Sequence, residues 1–148
     1  MATATRNGSG ARFRSAAEMR ELLDRVLKEV DGDDNAGPLL RATGMQMRLR
    51  CPDLDLGVNI GASEDPDHYL EWSFDSTPPW KPRLELTMDS VTANEFLQGK
   101  TSVPVAIARG QVQCAGDARS ALLYLPATKL ITDSYRAIVA AEYSHLAI

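Results

Sequence analysis

Few groups in this chain could do chemistry, and their spacing argues against it. The 148 residues include two histidines, His68 and His145, and two cysteines, Cys51 and Cys114. Imidazole is the usual acid or base near neutral pH, but neither histidine has a catalytic partner nearby in sequence, so both read as surface residues. Asp53 and Asp55 could act as paired carboxylates, although a Pro-Asp-Leu-Asp turn explains them more simply. Asp31-Gly32-Asp33-Asp34-Asn35 has the alternating oxygens of a calcium loop. A calcium loop starting at Asp31 needs glycine at its sixth place and glutamate at its twelfth, and the chain has Ala36 and Ala42, so the segment reads as a solvated acidic turn. There is no Gly-x-Ser-x-Gly elbow, no phosphate-cradling glycine loop and no His/Cys pair at metal spacing. Gly57 and Gly61 lack the third glycine of a dinucleotide fingerprint. No catalytic residue, metal or cofactor is expected.

Composition narrows the partners. Sixteen Lys and Arg face 20 Asp and Glu, a net charge of −4, so no overall positive field draws nucleic acid. Cys51 and Cys114 occupy apolar positions of alternating segments, where a reduced thiol serves as a small hydrophobe; no disulfide is expected. No apolar run approaches the ~18 residues of a membrane span, which argues against stable insertion. The basic, hydroxyl-rich start MATATRNGSGARFR lacks an apolar face and reads as a disordered tail. The C-terminal His145-Leu146-Ala147-Ile148 is not a peroxisomal address. The expectation is a tail over residues 1–13 and one cytoplasmic, bacterial-type domain over 14–148.

The elements that must position any site follow from periodicity. Ser15 and Glu18 form a capping box ahead of Met19, Leu22, Leu23, Val26, Leu27 and Val30, a stripe at helical spacing. Pro38 opens a short helical turn that Gly44 closes. Met45, Met47, Leu49 and Cys51 then alternate with polar residues, as do Leu54, Leu56, Val58 and Ile60 after the Pro52-Asp53 turn. Leu70, Trp72 and Phe74 mark a third strand, and Leu84, Leu86 and Met88 a fourth. Short polar links between them predict an antiparallel meander with one apolar face. Asp89 caps a helix carrying Ala93, Phe96 and Leu97 that Gly99 ends. Pro104 opens another, with Val103 and Ile107 one turn apart, and Gly110 stops it. Val112 and Cys114 form a fifth strand. Asp117 caps a helix broken at Pro126, and Leu130, Ile131, Tyr135, Ile138 and Val139 stripe the last one. The class is α+β, a five-stranded mostly antiparallel sheet with helices packed on one face.

The stretch Leu84–Asp117 carries three marks: Gly99-Lys100 closing the helix opened by Asp89, Ala106-Ile107 followed by Gly110, and Gly116-Asp117 after the last strand. Their order and spacing resemble the sterol carrier protein 2-like domains. Gln111 stands where that family usually has lysine, and Ile107 where it often has an aromatic. The resemblance implies an apolar tunnel between sheet and helices, with Trp72, Phe74, Leu86, Met88, Phe96, Ile107, Val112, Leu130 and Ile138 as lining candidates. It implies non-covalent binding or transfer of a lipid, fatty acyl, polyprenoid-like or other apolar small molecule. Two alternatives stay open: a small-molecule-pathway enzyme or accessory protein using the same cavity, with Asp133 or Tyr135 acting inside it, and a non-binding scaffold that forms a homodimer through its apolar helices.

Overall fold

The computed structural model describes residues 11–148. Helix α1 (Ala16–Asp31) starts as its sequence dictates, with Ser15 Oγ accepting the Glu18 amide at 3.1 Å. The Glu18 carboxylate reaches back one residue further than a capping box requires and accepts from the Arg14 amide at 2.9 Å. The expected tail over residues 1–13 falls largely on residues that are not described. Residues 1–10 lie outside the described residues, whereas Ala11 and Phe13 are buried, Phe13 within the main apolar cluster.

Helix α2 (Ala36–Ala42) leads into β1 (Gln46–Cys51), and a single 3-10 turn, Pro52–Leu54, joins it to β2 (Leu56–Ala62). Then come β3 (Leu70–Ser73), β4 (Leu84–Met88), α3 (Ser90–Leu97), α4 (Val103–Ala108), β5 (Val112–Gly116), α5 (Ala118–Ala127), α6 (Lys129–Glu142) and a 3-10 turn, Ser144–Leu146. The fold is α+β with a mostly antiparallel sheet, and the meander breaks after three strands. Strand order is β3-β2-β1-β4-β5, so β4 leaves β3 and lies parallel to β1. A parallel neighbour requires a crossover; residues 74–83 supply it without a helix. They run over the far face of the sheet, where Trp80 fills the space above Gly61: a Cβ there would meet Trp80 Cζ2 at 2.9 Å.

Register sorts the side chains by face. Ile60 pairs with Met47 and Met47 with Leu84, while Val58, Leu49, Leu86 and Cys114 form the next row; these point toward the helices. On the other face Ser73, Asn59, Arg48, Glu85 and Ala115 align across all five strands. Helices α1 and α6 meet over the inner face, the end of α6 joined to the middle of α1 by Arg25–Glu142 and by the Tyr143 hydroxyl donating to Glu21. The helical layer stops short of β5. Cys114 shares its row with fully buried Leu86 yet is exposed, so it is not the buried hydrophobe its alternation suggested, and Leu122 on α5 is 80% exposed. Pro126 lies within α5 rather than ending it. The helix continues to Ala127, and the Thr128 amide donates to the Tyr124 and Leu125 carbonyls to close it.

Candidate functional site

Between sheet and helices the side chains enclose a cavity of about 20 Å3. Leu23, Val26 and Leu27 of α1 form one wall, and Met47, Leu49, Val58, Ile60 and Leu86 the sheet wall. Phe96 and Leu97 of α3, Ile131 of α6 and Thr128 at the α5–α6 junction close the end. Every lining group but Thr128 is apolar, and the volume suits about one water-sized sphere. A groove of about 410 Å3 opens outside that end, between the α3–α4 link and the α5–α6 junction. Gly99 to Pro104 line one side, and Leu125, Pro126, Lys129 and Thr132 the other. Phe96 and Thr128 belong to both spaces. One half-buried ring and one threonine therefore separate the outer groove from the apolar interior.

Local sequence explains how Phe96 is held. Asp89 Oδ1 accepts the Thr92 amide at 2.7 Å to cap α3, and the Asp53 carboxylate anchors the same end through the Ser90 amide at 3.0 Å and hydroxyl at 2.6 Å. Asp53 is thus a tie between turn and helix, not half of a catalytic pair. At the other end Gly99 takes φ +76°, letting the chain reverse into α4. The buried flank of α3 is polar. Asn94 Nδ2 donates to the Leu146 carbonyl at 2.9 Å, Gln98 Nε2 to the same carbonyl at 2.7 Å and to Asn94 Oδ1 at 2.8 Å, and the Tyr135 hydroxyl to Asn94 Oδ1 at 2.7 Å. This network straps the C-terminal turn against α3 and α6.

The lining candidates divide. Leu86 and Phe96 face the cavity. Met88, Val112 and Ile138 are buried in the surrounding core, and Leu130 is half-buried against it. Trp72 and Phe74 lie at the β3 edge beside α1, where Trp72 Nε1 donates to Asp24 at 2.9 Å and the Arg20 guanidinium sits 4.9 Å from the Phe74 ring centroid. Ile107 is 43% exposed, because α4 buries Val103 and Ala106 instead. Sequence reasoning left out the α1 wall, the sheet residues Met47, Leu49, Val58 and Ile60, and Leu97, Thr128 and Ile131. The α1 residues were visible as a stripe, but nothing marked which part of that stripe faces the cavity, and a threonine carries no apolar signal.

Among the described residues no titratable group lines the inner cavity, and Lys100 and Lys129 line the outer groove. The Tyr135 hydroxyl is buried, its pKa raised first by burial and then by nearby Cys51 and Glu18, and it is committed to Asn94; Asp133 is exposed. Burial, with Asp53 and Asp89 nearby, pushes the Cys51 thiol up to about 12, far from a nucleophilic thiolate. Both histidines have carboxylate partners that only the fold brings near. His68 Nδ1 is 2.6 Å from Asp31 Oδ2, and His145 Nε2 is 2.9 Å from Glu18 Oε1. Asp31 Oδ1 also accepts the Tyr69 and Leu70 amides at 2.7 and 3.0 Å, and Asp34 accepts the Tyr69 hydroxyl at 3.1 Å. The acidic turn is accordingly a clamp on the start of β3 rather than a solvated loop.

At the level of sequence, neither a family profile nor a curated protein matches the chain. Solved structures do. Sterol carrier protein 2 from Yarrowia lipolytica superposes with a TM-score of 0.55 over 83% of this chain and 98% of its own, at 9% identity. The chain has the sterol carrier protein 2-like fold. A UbiJ-SCP2 ubiquinone synthesis protein matches with a TM-score of 0.51 over 78% of this chain and 89% of its own, at 12% identity. The sec-alkylsulfatase Pisa1 from Pseudomonas sp. matches with a TM-score of 0.51 over 66% of this chain, at 18% identity; the chain spans only 14% of that enzyme's length. Among the described residues no helix is long and apolar enough to cross a membrane.

Proposed function

We propose that this protein binds a lipid or other apolar small molecule non-covalently between its sheet and helices, in the cytoplasm, with no chemistry of its own. The observation that supports this most is that Phe96 and Thr128 line both the outer groove and the apolar interior cavity. Rotation of one partly exposed ring joins two spaces that a solid core would keep apart. The fold shared with sterol carrier protein 2 supports the same reading. The interior volume of about 20 Å3 means that a ligand must displace side chains rather than fill a ready void. Methionine at Met47 suits that role, since its unbranched thioether repacks easily. Burial contributes about 0.8 kcal/mol per methylene. A micromolar complex, about 8 kcal/mol net, therefore needs more than ten buried methylenes. That favours long acyl or polyprenoid-like chains.

The test is saturable displacement of an environment-sensitive apolar dye by fatty acids, acyl-CoA or polyprenols. Failure of the whole panel on folded protein would end the carrier reading. The scaffold reading has one observation in its favour, the exposed apolar side chains Val105, Ile107, Leu122 and Leu123 on α4 and α5. It requires a concentration-dependent dimer that Leu122→Glu abolishes, measured by sedimentation. An enzymatic role has less support, because neither Asp133 nor Tyr135 lines the cavity.

A further inference from the structure

The crossover of residues 74–83 leaves a cleft of about 390 Å3 between itself and the outer face of the sheet. It is separated from the apolar cavity by the sheet itself. Its floor includes Arg48 and Glu85, two neighbours in the row across the strands. Arg48 is only 8% exposed, and its Nη1 donates to Asn59 Oδ1 at 2.6 Å and to the Asp75 carbonyl at 3.1 Å. Its Nε lies 3.5 Å from Glu85 Oε2. Nη2 has no hydrogen-bond partner among the described residues. It lies over Gly57, where a Cβ would come within 2.7 Å of it, and both residues line the cleft. A buried guanidinium with an unmatched N–H edge is unfavourable unless something accepts from it. Two residues along the same strand and on the same face, Arg50 also lines the cleft, exposed and without a partner among the described residues. Phe74, Leu56, Pro52 and Pro82 add apolar wall.

We propose that this cleft binds a small organic carboxylate with an apolar or aromatic body, its carboxylate held by Arg48 Nη2 and Arg50 and its body packed against Phe74 and Leu56. The size lies in the usual range of small-molecule sites. The fork of an arginine matches a planar carboxylate. Charge narrows the class: Glu85 and Asp55 balance the two arginines among the lining residues, so no net positive field draws a multiply charged anion such as phosphate, and recognition falls to the open guanidinium edges, which match one carboxylate.

The proposal is independent of the apolar cavity and is tested separately. Nitrogen-15-labelled protein is titrated with 3-phenylpropanoate, its neutral amide 3-phenylpropanamide, and inorganic phosphate, following backbone amide shifts. The expected result is saturable shifts centred on Gly57 and Ser76, with the carboxylate bound at least tenfold more tightly than the amide and phosphate more weakly still. Arg50→Gln, an exposed change that leaves the spectrum of the fold intact, should weaken the carboxylate at least tenfold and leave the amide unchanged. Arg48→Lys, which keeps the charge and loses the fork, should weaken it as well if that variant folds; the Arg50 variant decides the matter if it does not. Equal affinity for acid and amide, insensitivity to Arg50→Gln, stronger binding of phosphate, shifts centred on Phe96 and Thr128, or no saturable shift up to the probe's solubility would each overturn it.

Discussion

Phe96 has one face toward an internal void and another toward an open groove, and that position governs what its removal should do. Truncating a ring in a solid core costs roughly 3–5 kcal/mol, because transfer free energy is lost and a cavity is left behind. Here part of the ring is already exposed and the cavity already exists. Phe96→Ala is expected to cost less than that range by denaturant unfolding, and to favour bulkier ligands over short ones in dye competition. A full core-sized loss with no change in ligand preference would place Phe96 in the core alone. Gly99 makes the complementary case. Its φ of +76° is a conformation that side-chain-bearing residues adopt at a cost, and a Cβ there would stand 3.4 Å from Thr132 Cγ2. Gly99→Val should lower stability by on the order of 1–2 kcal/mol or more, seen as a reduced melting temperature. Both residues were legible in the sequence, Phe96 from its helical spacing and Gly99 from its place between two caps. Thr128 was not, because its role comes from a helix junction that brings it beside Phe96.

At the scale of elements, the tie between the end of α1 and the start of β3 should be visible in the pH dependence of stability. Burial raises the Asp31 pKa, but the His68 hydrogen bond and the Leu70 and Tyr69 amides outweigh it and hold the carboxyl below its usual value. The Asp31 hydrogen bond and charge raise the pKa of His68, and Asp65 and Asp67 add to the effect. For Asp31, lowered in the folded state, the contribution is present above the ordinary carboxylate range near 3.8 and is lost as pH falls through the depressed value. For His68, raised in the folded state, the contribution is full below 6.5 and is lost as pH rises through the elevated value. The pair is therefore strongest between these limits. Urea unfolding of the natural protein and His68→Gln should differ more at pH 5.5 than at pH 9, while Asp31→Asn should remain destabilising at both, because Asp31 also accepts the Tyr69 and Leu70 amides. A gap for His68→Gln that does not change with pH would mean that the imidazole contributes by packing alone. Sequence disclosed the acidic turn but not its target, since the partners lie 37 to 39 positions away.

At the scale of the whole molecule, period-two alternation told which face of each strand is apolar and said nothing of which strand lies beside it. Hence the face of β4 was legible and its parallel seat beside β1 was not. That seat has a functional consequence, because the crossover it demands covers the outer face and leaves the helices alone to open the inner one. Helix α1 is fixed along its length, at its middle to β3 through Asp24 and to the end of α6 through Glu21 and Arg25, and at its C-terminus to β3 through Asp31. The α3–α4 link and α5 have fewer such ties, and α5 leaves Leu122 and Leu123 exposed. Opening should therefore occur on the Phe96 side. A ligand that binds only the folded state stabilises it by about 2.7 kcal/mol at 100 times its Kd. For a domain of this length that raises the melting temperature by on the order of 10 °C. Hydrogen exchange in the presence of a bound long-chain ligand should slow most in α3, α4 and the α5–α6 junction and change little in the buried turns of α1. Uniform slowing across the molecule would show global stabilisation without a local gate, and protection confined to β2 and the 74–83 crossover would place the ligand in the outer cleft instead.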